Sequence, residues 1–167
     1  MKILGIDPGT ATTGWAIIDK PSAISDKLEV IACDCILTEA KKSLDIRLEE
    51  IFDGLQYIIK KYKPDEVAIE ELFFAKNAKT AIAVGHARGV MMLAAAKLKI
   101  PVFEYTPLQV KQAVVGYGRA QKCQVQAMLK CILKTKDIPK QDDTADAIAI
   151  AVCHANTKKF EARNTKS

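Results

Sequence analysis

The sequence predicts an α/β protein in which helices flank a mixed five-stranded sheet. Three apolar segments near the N-terminus, 2–7, 14–19 and 28–37, are separated by polar or Pro-Gly turns, which predicts consecutive antiparallel strands. Two shorter apolar segments, 66–70 and 102–105, alternate with helical patterns, which is typical of parallel additions to a sheet. A chain of 167 residues that is 49% apolar can bury one sizeable core, so one domain is expected.

The helices follow from a change of hydrophobic period. Apolar residues recur at helical spacing over 42–62, and Pro64 predicts the end of that helix. Asn77 is a candidate N-cap for a long helix, rich in Ala and Gly, that reaches about Leu98. Three more helices are predicted to begin at Pro107, near Lys122 and at Asp142 or Asp143, with the Gly-rich segment "VGYGRAQK" before the second of them.

Composition narrows the class of protein. The domain is predicted over 1–155, and the polar segment 156–167 is predicted to be a flexible tail. A net charge of +5 is compatible with nucleic-acid binding without establishing it. The five cysteines lack C-x-x-C spacing and predict reduced thiols rather than a zinc site. No signal peptide or membrane-length apolar run is present, so we expect a cytoplasmic protein.

Four carboxylates occupy positions from which they could converge. Asp7 and Glu70 each end an apolar strand, and they share one edge of the sheet if those strands are neighbours. Asp143 and Asp146 are three residues apart at the start of an apolar helix, so both lie on one helical face. Together they predict a carboxylate cluster where the helix meets the sheet.

Each carboxylate also has a simpler interpretation. Asp7 precedes Pro-Gly and suits a turn, Glu70 suits a solvated strand end, and Asp143 suits a helix N-terminus. Asp146 lies within the helix, so capping does not explain it. Its position therefore favours the interpretation that the four carboxylates form one cluster. Four clustered carboxylates are stable when ionised only if cations neutralise them, and oxygen ligands favour Mg²⁺ or Mn²⁺. Two such ions about 4 Å apart can promote phosphodiester hydrolysis.

Longer motifs point to a known family. The segments "GIDPGT", "AIEELFFAKN", "ARGV", "PVFEYTPLQVKQAVVGYGRAQKCQV" and "DDTADAIAIA" occur in order and at compatible spacing. In these motifs the chain resembles the bacterial RuvC family of crossover junction endodeoxyribonucleases, which resolve Holliday junctions. The resemblance covers about residues 1–155. It implies an RNase H-like fold, a homodimer, and paired nicks on opposed strands of a four-way junction in DNA recombination and repair.

The resemblance also implies residue roles. It places the catalytic, metal-binding acids on Asp7, Glu70, Asp143 and Asp146, with two Mg²⁺ ions per active site that Mn²⁺ can replace. It places an active-site or DNA-binding lysine on Lys111 and another on Lys122. It places a base-stacking aromatic on Phe73 with Phe74 beside it, although core packing is the usual role of such a pair.

Two further surfaces are assigned with alternatives. Arg119 lies in the Gly-rich loop and is predicted to contact DNA phosphates, the alternative being a solvated surface charge. Small residues at Ala81, Gly85 and Gly89 form a stripe that suits packing on the sheet, whereas the resemblance favours a dimer contact. The resemblance also suggests the RuvA–RuvB branch-migration complex as a partner.

Some features depart from the family or allow other functions. Glu71 stands where Gln is frequent in the family, and Cys123 stands where Ser is common. "GIDPGT" also resembles the first phosphate loop of sugar kinases and actin-like ATPases, but the chain is short for their two domains. The remaining alternatives are a related RNase H-like nuclease that acts on other structured nucleic acid and a non-catalytic junction-binding protein.

Overall fold

A five-stranded sheet lies between two groups of helices in the protein, which is described by a computed structural model. The structure describes residues 1–22, 27–71, 78–139 and 141–164, and it leaves the side chains of 78–80 and 159–164 undescribed. The strands are β1 (Lys2–Asp7), β2 (Thr12–Asp19), β3 (Glu29–Leu37), β4 (Glu66–Glu70) and β5 (Val102–Tyr105). The helices are α1 (Leu44–Tyr62), α2 (Ala78–Lys97), α3 (Pro107–Val115), α4 (Lys122–Leu133) and α5 (Asp142–Asn164).

The strand order across the sheet is β3-β2-β1-β4-β5. The first three strands pair antiparallel, whereas β4 pairs parallel with both β1 and β5. The predicted mixed sheet is therefore confirmed. Because β4 lies beside β1 with Ile69 opposite Ile6, the two strands end at the same edge.

Apolar side chains on the two faces of the sheet form separate cores. On one face, Leu4, Ile6 and Ile17 pack with buried residues of α1 and α2. On the other face, Ile3 and Ile18 pack with buried residues of α3, α4 and α5. Both faces of the sheet are covered, as expected for a sheet that contains parallel strands.

Helix α5 is the most deeply buried helix among the described residues. From Thr144 to Ala155 every residue except Asp146 is buried. The helix lies directly on the backbone of β1 and β2 because glycines face it. A Cβ on Gly5 would lie 2.2 Å from the Ala147 carbonyl oxygen, and a Cβ on Gly14 would lie 2.0 Å from the Asp143 carbonyl oxygen.

The element boundaries differ from the predicted ones in a few places. Strand β2 begins at Thr12 rather than at residue 14, because its antiparallel register with β3 extends as far as Leu37. Helix α1 ends at Tyr62, as Pro64 predicts, and its C-cap Lys63 is in the left-handed conformation. Helix α5 continues to Asn164, so part of the predicted tail is helical, and its flexibility stays a prediction. No described helix is long and apolar enough to cross a membrane.

Candidate active site

The strand ends and the start of α5 bring the four predicted acids to one edge of the sheet. Asp7 is the last residue of β1, and Glu70 is the last residue of the adjacent parallel strand β4. Asp7 pairs with Gly14 of β2, and the bare backbone of Gly14 touches Asp143 of α5. Asp146 lies about one turn further along α5. The glycine contact thus explains how α5 delivers its carboxylates to the end of β1.

Asp7 lies at the electrostatic centre of this cluster. Burial, followed by the charges of the three other acids in the order Glu70, Asp146 and Asp143, raises the pKa of its carboxyl from 3.8 to about 8. Lys122 works in the opposite direction and lowers the same pKa. Without a metal ion, Asp7 is therefore largely protonated at neutral pH, and its ionised form requires positive charge beyond that of Lys122.

Glu70 shares this behaviour to a smaller extent. Burial, followed by the charge of Asp146, raises the pKa of Glu70 from 4.5 to about 7, whereas Lys111 and Lys122 lower it. These two acids and two lysines line a cavity of about 180 Å³, the rest of which is formed by apolar side chains of α3, α4 and α5. The cavity is thus a small apolar pocket with charged groups of both signs around it.

Lys122 is the cation that pairs with the cluster. It is the first residue of α4, and its Nζ lies 2.9 Å from Asp146 Oδ2 and 3.3 Å from Asp142 Oδ2. Burial disfavours the charged ammonium, but the hydrogen bonds and charges of these two carboxylates outweigh burial and raise the pKa of Lys122. The ammonium therefore offsets part of the negative charge at the site.

The chemistry of the donor set fits a hard divalent cation, since all four acids present oxygen ligands. As they stand, however, no three carboxylate, thiol or imidazole groups among the described residues are close enough to hold a metal ion together. The carboxylates interact electrostatically, yet they have not closed into a complete ligand shell. The salt bridge from Lys122 uses the Oδ2 oxygen of Asp146.

Sequence reasoning did not assign two residues that the structure places at the site. Asp142 contacts Lys122 and also accepts a hydrogen bond from Gln126 Nε2 at 3.5 Å. Cys35 of β3 lies opposite Gly14, and its Sγ is 3.1 Å from the hydroxyl of Thr144. Burial raises the pKa of the Cys35 thiol, and the charges of nearby aspartates add to that rise. The pairing of β2 with β3 was predicted, but only the packing of α5 brings Cys35 to the site.

The other predicted site residues have different positions. Arg119 is exposed in the loop between α3 and α4, close in sequence to Lys122. Glu71 is half-buried beside Glu70, and its backbone N–H donates to the Tyr105 carbonyl oxygen at 2.8 Å. Cys123 is exposed at the start of α4. The predicted roles of Phe73 and Phe74, and the predicted N-cap Asn77, concern positions outside the described residues.

Comparison with known proteins identifies the family of the chain. The model of the family described as "Crossover junction endodeoxyribonuclease RuvC" matches residues 3–154. The protein of that name from Desulforamulus reducens is 57% identical over 155 residues, 93% of each chain. Its counterpart from Ruminiclostridium cellulolyticum is 52% identical over 162 residues, which are 97% of this chain and 96% of that protein.

A solved structure agrees with the sequence relatives. T. thermophilus RuvC in complex with Holliday junction substrate superposes with a TM-score of 0.90 at 32% identity and covers 96% of both chains. The family resemblance and the RNase H-like fold that the motifs predict are therefore confirmed.

Proposed function

The chain belongs to the RuvC family of crossover junction endodeoxyribonucleases, and we propose that it resolves Holliday junctions by nicking two opposed strands symmetrically. The observation that carries the proposed chemistry is the convergence of Asp7, Glu70, Asp143 and Asp146, whose mutual influence is expressed in the raised pKa of Asp7. A similar protein, T. thermophilus RuvC, was solved in complex with this type of substrate.

We propose that the four acids are the catalytic and metal-binding residues. The ions that fit this donor set are Mg²⁺ or Mn²⁺, and two of them are expected in each active site. When bound, they would supply an activated water as nucleophile and neutralise the charge that develops on the departing 3′-oxygen. The protein supplies the acids on rigid elements, because two of them end sheet strands and two lie on the buried helix α5.

Lys122 has two successive roles in this proposal. Without metal it neutralises part of the charge of Asp146, with its ammonium 2.9 Å from the carboxylate. With a cation bound to Asp146, the ammonium of Lys122 would be available to a backbone phosphate of the DNA. Asp142, which also contacts Lys122, would hold the side chain close to the site.

The DNA-binding surface that we propose surrounds the cavity. Lys111 lines the cavity beside Glu70, and Arg119 is exposed in the adjoining loop. Cations at these positions would hold phosphates and orient the junction without reading its sequence. Phe73 and Phe74 complete the proposal as candidates for stacking on unpaired bases, with Phe73 as the preferred residue.

The exposed face of α2 supports a homodimer. Gly89 is exposed, and a Cβ at this position would meet no atom within 4 Å, so this residue does not pack on the sheet. Ile82 and Leu93, which are 59% and 53% exposed, lie on the same helical stripe. We propose that this stripe contacts a second copy of the chain, since a two-fold dimer would place two active sites on the two opposed strands.

The proposal is tested with three substrates of matched sequence. The purified protein is given a four-way DNA junction, a linear duplex and an RNA–DNA hybrid, with Mg²⁺ or with EDTA. Paired nicks in the junction alone, only with metal, are expected. Asp7→Asn is expected to bind the junction without cleaving it. Equal cutting of junction and linear duplex would contradict the proposal, whereas preferential cutting of the hybrid would favour a related nuclease.

Two associated expectations follow from the same function. The protein would act in the bacterial cytoplasm, where junction DNA is formed. Contact with a RuvA–RuvB branch-migration complex stays a prediction, and co-sedimentation of the three proteins on junction DNA would test it.

A further inference from the structure

The last carbonyl group of β4 belongs to Glu70, and it points away from β5. The N–H groups of Val67 and Glu71 donate to carbonyl oxygens of Pro101 and Tyr105, on the β5 side, at 2.9 and 2.8 Å. Because successive residues of a strand direct their backbone groups to opposite sides, the Glu70 carbonyl faces β1.

Strand β1 cannot supply a donor to this carbonyl. The parallel register places Ile6 opposite Ile69, so the next N–H that would face the Glu70 oxygen is that of residue 8. That residue is Pro8, which has no N–H group. A partly buried carbonyl without a ladder partner needs a donor from elsewhere.

Arg88 of α2 is that donor. Its Nε donates to the Glu70 carbonyl oxygen at 3.2 Å, and its Nη2 pairs with the carboxylate of Glu104 on β5. The arginine side chain is only 18% exposed, and its contact with the Glu70 carbonyl is partly buried, whereas Glu104 is exposed. A guanidinium with two partners in a fixed plane has little freedom to move, and it holds the end of β4 against α2 and β5.

We propose that Arg88 is a positioning residue for Glu70, holding the peptide at the end of β4 so that the Glu70 carboxylate keeps its place in the metal site. The inference rests on the proposed function, in which Glu70 is a metal ligand. Arg88 touches the main chain of Glu70, and it therefore acts through the geometry of that residue. Active sites require ligands held to within fractions of an ångström, and a loosened strand end would not provide that precision.

The same contact connects two parts of the proposed enzyme. Arg88 precedes Gly89, which lies on the exposed stripe of α2 that we assign to the dimer. One side chain therefore joins the helix of the proposed dimer contact to the backbone of an active-site acid.

The test compares Arg88→Ala and Arg88→Lys with a matched control, Gln56→Ala. Gln56 also donates to a main-chain carbonyl of α2, that of Ala94, at 3.1 Å. This contact lies further along α2 than Arg88, away from the four acids. Two readouts are used: the Mn²⁺ affinity of the DNA-free protein by electron paramagnetic resonance, and single-turnover cleavage of a four-way junction at saturating protein and Mg²⁺.

Arg88→Ala is expected to weaken Mn²⁺ binding severalfold and to slow single-turnover cleavage by about tenfold or more, the effect of one lost side-chain hydrogen bond to a charged donor. Junction affinity measured in Ca²⁺ should stay within about twofold. Arg88→Lys should recover part of the loss because one donor remains. Gln56→Ala should lower the urea midpoint of unfolding and leave both Mn²⁺ affinity and cleavage rate unchanged.

Unchanged Mn²⁺ affinity in Arg88→Ala, or equal losses in Arg88→Ala and Gln56→Ala, would overturn the inference. If Arg88→Ala does not fold, Glu104→Gln replaces it, since it removes the second anchor of the guanidinium and should give a smaller loss in the same direction. Unchanged Mn²⁺ affinity in Glu104→Gln would then overturn the inference. Wild-type protein that binds Mn²⁺ but cuts no junction would contradict the proposed function, and the Mn²⁺ comparison would still decide the role of Arg88.

Discussion

Replacing Asp7 by Asn is expected to make the metal-free protein more stable at pH 8 while abolishing cleavage. Burial and the neighbouring carboxylates raise the pKa of Asp7 in the folded protein to about 8, from an ordinary value of 3.8. At pH values between 3.8 and about 8, Asp7 is protonated in the folded protein but ionised in the unfolded chain. The free energy of unfolding therefore falls as pH rises through this range, and the full penalty is present above pH 8.

The size of the effect follows from the two pKa values. The rise from 3.8 to about 8 corresponds to about 6 kcal/mol when Asp7 is fully ionised. Integrated from pH 5 to pH 8, it lowers the free energy of unfolding by about 4 kcal/mol. Asn binds no proton in this range, so the variant lacks this slope. The titration of Glu70, whose pKa is about 7, makes the free energy of unfolding depend on pH to a smaller extent in both proteins.

Urea unfolding in EDTA at pH 5, 6, 7 and 8 measures this difference. The matched control is Asp53→Asn, which removes an exposed carboxylate on α1 and should retain the wild-type slope. Mg²⁺ at saturating concentration should reduce the slope of the wild-type protein, because bound cations offset the charge that disfavours ionised Asp7. Parallel pH curves for the wild-type protein and Asp7→Asn in EDTA would refute the reasoning.

Gly14→Ala is expected to lower stability by about 1–3 kcal/mol and to stop cleavage, because the added Cβ would lie 2.0 Å from a carbonyl oxygen of α5. Urea unfolding measures this, with Asp53→Asn, at an exposed position on α1, as the control. Lys122→Met is expected to move the pH–rate profile of cleavage to higher pH, because Lys122 lowers the pKa of Asp7. A variant whose profile coincides in pH with that of the wild-type protein would contradict this role of Lys122. The Mg²⁺ concentration for half-saturation is expected to fall as pH rises from 6 to 8, since Asp7 and Glu70 must lose protons to bind metal. Calorimetry in two buffers with different ionisation enthalpies would detect the released protons, and a pH-independent metal affinity would count against the assignment of these ligands.

Much of the fold could be predicted because its signals are local. The strands β1, β4 and β5 have the predicted boundaries, since each is a short apolar run between residues that favour turns or helix starts. Pro64 marks the end of α1. The start of α3 is marked by Thr106, which forms a capping box with Gln109, and by Pro107 in the first turn. Such signals act within a few residues and need no knowledge of the tertiary structure.

The details of the site depend on contacts between distant segments. The salt bridge between Lys122 and Asp146 joins the first residue of α4 to the second turn of α5, and nothing in the local sequence of either helix requires it. The contact between Arg88 and the Glu70 carbonyl arises because Pro8 removes one ladder donor on a neighbouring strand. That the strands of Asp7 and Glu70 are neighbours was a supposition at the level of sequence, because strand order depends on how distant segments pack. Strand-end positions, helical spacing and the motif resemblance predicted the acids, whereas tertiary packing determines what surrounds them.

The glycines beneath α5 have a consequence for mutational maps of this enzyme. Gly5 and Gly14 have no side chain to offer to the chemistry, and an added side chain at either position would collide with the helix. A scan of all substitutions scored by cleavage would therefore rank the two glycines as high as Asp7. Such a scan would overstate the number of catalytic residues. A second scan scored by folding alone would separate the two classes, since Asp7 would then accept substitution and the glycines would not.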